Sequence, residues 1–200
     1  MFQAGDAIKG VKTGEIQNHR EKHAQQWELV GPPLRPSTPD TECFTRIVNE
    51  WYAGNGQSSL SALLLGVTPE IAHMGWPDHT RLFAADYSAQ MIRAVWTQQD
   101  QAQRLAFSAD WRSLPLPEQA LDMAIGDGCF TLLPYPDGYQ DLAREVHRIL
   151  RPDGLLMVRF FVSTDVAATP EQVHEQLLAG IIGNFHIFKF RLAIALQQSA

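Results

Sequence analysis

Short apolar runs alternate with stretches of helical spacing from residue 60 onward, and no other feature constrains the fold as tightly. The runs predict strands at Ala62 to Leu65, Leu82 to Ala85, Arg104 to Phe107, Leu121 to Ile125 and Leu155 to Phe161. Between them, Pro69 opens a short helix, and Ser88 caps a helix carrying Met91, Ile92, Val95 and Trp96. A longer helix runs from near Asp137 to Leu150 with Leu142, Val146, Ile149 and Leu150 inward, and the turn Arg151-Pro-Asp-Gly154 separates it from the last strand. Strands joined by helices must run parallel, with right-handed crossovers covering both sheet faces, so the class is doubly wound α/β.

The flanks read differently. Residues 1–40 form a polar N-terminal arm or cap segment, with Trp27 and Leu29 as its expected anchors and a proline cluster from Gly31 to Pro36. Thr38-Pro39-Asp40 predicts a helix start with a capping hydroxyl, and Phe44, Ile47, Val48, Trp51 and Tyr52 follow at helical spacing. Residues 41–200 make the main domain, with its motif core at 59–162 and helices at 170–197. Thr169 to Gln172 is a capping box, and Phe185, Phe188, Leu192 and Leu196 give a last amphipathic stretch.

Two hundred residues with 45% apolar content suffice for one sizeable core. A formal charge of −6 leaves no basic stripe for a nucleic-acid backbone, and no run approaches the length of a membrane span. Cys43 and Cys129 stand alone, without metal-ligand spacing, and His73, His79, His147, His174 and His186 pair with nothing; no metal site is expected. A cytoplasmic protein acting on a small-molecule acceptor fits this balance better than one that binds nucleic acid or membrane.

One spacing points to chemistry. The first strand stops at Gly66 and the second at Asp86, which in a Rossmann-like fold puts a glycine turn and a ribose-binding carboxylate on one crevice. The segments LLLGVTPE at 63–70, FAADYSAQMI at 83–92, SADWRSLPL at 108–116, LDMAIGDGCF at 121–130 and EVHRILRPDGLLMV at 145–158 together resemble the class I S-adenosylmethionine-dependent methyltransferases. The resemblance implies a mainly parallel sheet of order 3-2-1-4-5 with the cofactor across the carboxyl ends of strands 1 to 4. It also implies two further strands, 6 and 7, that are missing after residue 162, so the chain is expected to be truncated or capped by a homo-oligomeric neighbour.

By that resemblance Asp86 meets the ribose diol, Asp110 the adenine amino group, and Tyr87, Met91 and Trp111 flank the ring. Each has a structural alternative: Asp86 as a helix N-terminal acid, Asp110 as a solvated loop acid, Met91 as core, Trp111 as a loop shield. The family's acid in the first strand is replaced by Leu64, and Val67-Thr68-Pro69-Glu70 replaces most of its glycines. Thr68 and Glu70 are candidates for the cofactor's amino group; Glu70 reads equally as a first-turn acid. Pro69 removes a backbone donor and Glu70 adds negative charge, so the loop suits a phosphate-free cofactor better than NAD or FAD. Gly126 and Asp127 complete the set at the rim, Asp127 being otherwise a turn acid and Cys129 a buried thiol. Glu145, Arg148 and Arg151 read as a solvated helix face.

Methyl transfer from S-adenosylmethionine to a small-molecule acceptor, with S-adenosylhomocysteine as product, is the function this implies. A catalytically silent nucleoside- or partner-binding module is the alternative, and no catalytic residue is singled out.

Overall fold

The computed structural model describes residues 27–56, 58–97, 103–162 and 168–198. Five strands, β1 (Leu60–Leu65), β2 (Thr80–Asp86), β3 (Arg104–Ser108), β4 (Leu121–Asp127) and β5 (Leu150–Arg159), form one sheet in the order β3-β2-β1-β4-β5. Every pairing is parallel. Six helices surround it: α1 (Thr38–Asn55), α2 (Pro69–Ala72), α3 (Ala89–Val95), α4 (Asp137–Ile149), α5 (Pro170–Leu178) and α6 (Phe185–Gln198).

The two-residue period of a strand divides the core. From β1, Leu60, Ala62 and Leu64 pack with Val48, Ile71 and Ile92, whereas Leu63 and Leu65 pack on the other face with Leu142, Val146 and Ile149. All six β1 side chains are essentially buried, worth about 1.5–3 kcal/mol for each leucine. This buried central position explains why β1 reads as an unbroken apolar run.

Local signals set several boundaries. Ser88 caps α3 by accepting from the Met91 amide at 3.2 Å, and Thr169 caps α5 by accepting from Gln172. Helix α1 is capped one residue earlier than expected, at Ser37, because the Asp40 carboxylate reaches back to the Ser37 amide at 2.7 Å. Strand β5 starts at Leu150 rather than 155: Leu150 pairs with Leu121, and the register slips before Met123 pairs with Leu155. The expected turn 151–154 is therefore absorbed into the strand, and Phe160 and Phe161 lie beyond its end.

Three expectations are corrected. Leu29 is 76% exposed and anchors nothing through its side chain; Trp27 is the anchor, with the Arg35 guanidinium 4.8 Å from its ring centroid. Glu145 and Arg148 are not merely a solvated face, because they clasp the loop after β3. Glu145 accepts from the Leu114 amide at 2.6 Å, while Arg148 donates to the Leu116 and Leu114 carbonyls. Arg148 and that amide hold the Glu145 carboxyl below the usual range. Arg151 pairs with Asp122, a buried acid whose other oxygen accepts from the Ser61 amide. That acid ties β4 to β1 and had no signature in the sequence.

Helices α5 and α6 build a small core of their own around Val173, Ile182 and Ala195. They touch the arm through Asn184, which donates to the Pro32 carbonyl at 3.1 Å. Residues 1–26 of the expected arm lie outside the described residues. Among the described residues no helix is long and apolar enough to cross a membrane.

Candidate functional site

The carboxyl edge of the sheet gathers Gly66, Thr68, Glu70, Asp86, Trp111, Gly126 and Asp127, because each follows or ends a parallel strand. At its centre is the Ala85 carbonyl, which accepts from the Gly66 amide at 2.8 Å and from the Trp111 indole N–H at 2.6 Å. One oxygen thus ties the loops after β1 and β3 to the end of β2. Gly66 has φ of +107°, a conformation that requires glycine, and a Cβ there would stand 4.0 Å from the Trp111 ring. The indole covers the glycine's open side.

Glycine at position 126 has a different cause. A Cβ there would lie 2.5 Å from the Cys129 sulfur and 3.5 Å from Leu65, so the buried thiol occupies the space a side chain would need. Burial pushes that thiol up to about 12, which keeps it protonated and unreactive.

The two acids after β2 and β3 are engaged nearby. An Asp86 oxygen accepts from the Ser88 amide at 2.7 Å, closing a turn into α3. Asp110 accepts from the Arg112 guanidinium at 2.6 Å and from its amide at 2.9 Å, in an isolated bridge to Ser113. Tyr87 is 59% exposed beside Asp86, whereas Met91 packs against the apolar cluster under α3 and stands with the core.

The acids after β1 and β4 are held from a distance. Glu70 pairs with Arg35 at 2.6 Å, and the same arginine donates to the Trp27 and Val30 carbonyls. Thr68, 7% exposed, precedes α2 without a side-chain cap bond. Asp127 pairs with Arg159 at 2.6 Å, and Arg159 also donates to the Pro33 carbonyl. Burial raises the Asp127 carboxyl above its ordinary value despite Arg159, with Glu70 and Asp40 adding repulsion.

These latches leave polar atoms over. Arg35 Nε, Glu70 Oε2 and Arg159 Nη2 are buried without a hydrogen-bond partner among the described residues. Among the seven described side-chain atoms left in this state, these three belong to the latches, two cationic donors and one anionic acceptor. Neither arginine carried a motif; only their occurrence in the arm and at the end of β5 could have drawn attention. In a separate cleft of about 470 Å³, the lining residues Arg144 and Asp141, and Arg148 and Glu145, pair with each other, and Arg112 pairs with Asp110. Among the described residues no group of three or more His, Cys, Asp or Glu side chains could hold a metal ion.

Comparison with known proteins agrees with this fold. Residues 64–158 match a family model described as a methyltransferase domain, and the fold is that of the class I, Rossmann-like methyltransferases. No curated protein matches the sequence. Among solved structures, the chain is similar to 1,6-didemethyltoxoflavin-N1-methyltransferase from Burkholderia thailandensis, solved with 1,6-didemethyltoxoflavin and S-adenosylhomocysteine bound. The TM-score is 0.56 at 19% identity, over 82% of this chain and 68% of that one. A SAM-dependent methyltransferase from Aquifex aeolicus gives 0.50 at 18% identity, over 81% and 85%. The 4+2 cyclase SpnF gives 0.55 at 17%, over 84% and 71%.

Proposed function

We propose that this protein transfers a methyl group from S-adenosylmethionine to a small-molecule acceptor. The observation that carries the reading is a set of leftover buried atoms on the latches: Arg35 Nε in the arm, Glu70 Oε2 in the helix after β1, and Arg159 Nη2 at the end of β5. A zwitterionic methionine tail offers an ammonium for the Glu70 oxygen and a carboxylate for the arginine donors, so the charges match without a glycine-rich loop. A pyrophosphate offers no cation for Glu70, and Pro69 lacks the amide that would bind it.

The remaining roles follow from position. Asp86 receives the ribose diol, Asp110 the adenine amino group, and Trp111 with Tyr87 flanks the ring. Gly66, Thr68, Gly126 and Asp127 line the crevice between these ends, with Asp127 holding Arg159 in place. Met91 acts only as support beneath α3. When bound, the cofactor supplies a methyl on a positively charged sulfur that an acceptor nitrogen, oxygen, carbon or sulfur takes by in-line displacement. The chain's own contribution is to hold the acceptor in line and exclude water, and alignment of this kind accounts for much of the rate in bimolecular transfers. A dedicated base is then unnecessary, and the buried Cys129 thiol plays no covalent part.

The Burkholderia neighbour binds a small molecule beside S-adenosylhomocysteine, which supports a small-molecule acceptor here. SpnF, a cyclase on the same fold, favours a second reading in which the domain binds its nucleoside without methyl transfer. Two free cysteines, Cys43 exposed and Cys129 buried, are in keeping with a reducing compartment such as the cytoplasm.

Thermal melts test the cofactor. S-adenosylhomocysteine at a hundred times its dissociation constant should add about 2.7 kcal/mol, and NADH should add nothing. Stabilisation by NADH alone would overturn the reading. Stabilisation by S-adenosylhomocysteine without methyl consumption across an acceptor panel would favour the silent module.

A further inference from the structure

Beyond the crevice, the ends of β4 and β5 carry a concentration of aromatic rings that the cofactor roles do not use. Phe130, in the turn after β4, meets Tyr139 edge-on at 4.9 Å and lies tilted by 31° against Phe160 at 5.3 Å. Tyr135 continues the series at 5.4 Å from Tyr139. Phe161 packs on Phe190 at 4.8 Å and reaches within 3.7 Å of where a Cβ on Gly128 would stand, one residue beyond Asp127. The band therefore begins at the crevice and runs outward from it.

Its exposure is unusual. Phe160 is 52% exposed and Tyr135 80%, where rings of this size ordinarily bury most of their area. Among the described residues, the one cation placed against these rings is Arg159, 5.1 Å from the Phe161 centroid and already held by Asp127. Ring faces and edges offer stacking surface, the two tyrosines offer polar handles at the outer end, and the charged residue between those tyrosines in the chain, Asp137, is exposed and disfavours an anion.

We propose that this band is the acceptor wall and that its occupant is a planar, uncharged aromatic small molecule. Continuity with the crevice and the tilted Phe130–Phe160 pair select that class over an aliphatic one, and the acids at its two ends, Asp127 and Asp137, select it over an anionic one. The occupant's role as methyl acceptor rests on the function proposed above; its binding does not.

The test uses the full chain and three probes of similar size: 2-naphthol, which is planar and uncharged; 2-decalol, uncharged but not planar; and 2-naphthalenesulfonate, planar but anionic. Each is titrated calorimetrically with and without saturating S-adenosylhomocysteine. Naphthol should bind at least about fivefold tighter than either other probe, the scale of one ring-stacking contact. Phe160→Leu keeps an apolar side chain and removes the ring; it should weaken naphthol about fivefold and leave S-adenosylhomocysteine affinity unchanged. Phe160→Ala should do the same.

Equal binding of decalol, or an unchanged naphthol affinity in Phe160→Leu, would overturn the proposal. So would a dimer in sedimentation that Phe160→Glu converts to monomer, since the band would then be an interface between copies. Naphthol binding as expected with no S-adenosylhomocysteine binding by the wild type would support the wall and defeat the methyl-transfer reading instead.

Discussion

Four acids stand at the carboxyl edge of the sheet, and the pair after β2 and β3 differs from the pair after β1 and β4. Asp86 and Asp110 close on groups two residues away, Ser88 and Arg112. Glu70 and Asp127 are held by Arg35 and Arg159, which also grip the carbonyls of the arm at Trp27, Val30 and Pro33. The first pair is a local device: each turn forms as its loop forms, and the side chain stays at the water boundary, Asp110 34% exposed. The second pair is a tertiary device, with the Asp127 side chain only 6% exposed. It fastens the arm beside the crevice, so under the function proposed above the β1–β4 side should govern stability and cofactor tail binding together, and the β2–β3 side binding with little effect on the fold.

The largest expected effect breaks the tertiary pair. Arg159→Met leaves Asp127 buried and uncompensated and should destabilise the protein by about 3–5 kcal/mol in urea melts at pH 8. The effect has a pH signature. Because the folded Asp127 pKa lies above its unfolded value, near 3.9, the folded state holds the proton longer, and stability falls as pH rises through the interval between them. Wild type should therefore lose stability relative to Asp127→Asn as pH rises from about 4, with the difference levelling once Asp127 is ionised. A pH-independent difference would contradict the burial argument.

On the local side, Asp86→Ala and Asp110→Ala should each weaken S-adenosylhomocysteine binding by about 1.5–3 kcal/mol, the scale of a hydrogen bond to a charged group, while urea midpoints move far less than in Arg159→Met. If either shifts the urea midpoint as far as Arg159→Met does, the division between local and tertiary acids fails.

Gly126→Ala, on the tertiary side, drives a methyl into the Cys129 sulfur and should cost about 1–3 kcal/mol. Adding Cys129→Ala removes the sulfur and should restore most of that stability; no rescue would mean the glycine is needed for another reason. Smallest is Ser88→Ala, which removes the acceptor for the Met91 amide and should cost about 1 kcal/mol without touching either latch. Hydrogen exchange checks it: faster exchange confined to α3 is expected.

The division between local and tertiary also explains what was legible in the sequence. Buried parallel strands announce themselves as apolar runs, and the caps at Ser88 and Thr169 are written within three residues, so the strands and most helix starts were readable, while the strand order was legible only through the family resemblance. Where a partner lies far along the chain, reading failed. Glu145 and Arg148 looked solvated because the loop they clasp, Leu114 to Leu116, is remote in sequence. Arg159 reaches Pro33, 126 residues away, and an arginine carries no mark of which acid it will meet. Leu29 looked like an anchor beside Trp27, yet the short helical turn that turns the indole inward leaves the leucine outside. Of the site, the positions of Gly66, Asp86 and Asp127 followed from strand ends; the charges that surround Glu70 and Asp127 required the fold.

The central claim is that the crevice binds an adenosyl cofactor whose tail is gripped by the arm. Calorimetric titration of S-adenosylhomocysteine into wild type and Arg35→Met tests it most directly, because Arg35 stands at the junction of arm and crevice. The account predicts one site per chain in the wild type and at least about tenfold weaker binding in Arg35→Met, equivalent to 1.4 kcal/mol. No binding by the wild type at millimolar ligand, or equal affinity in the two proteins, would contradict it.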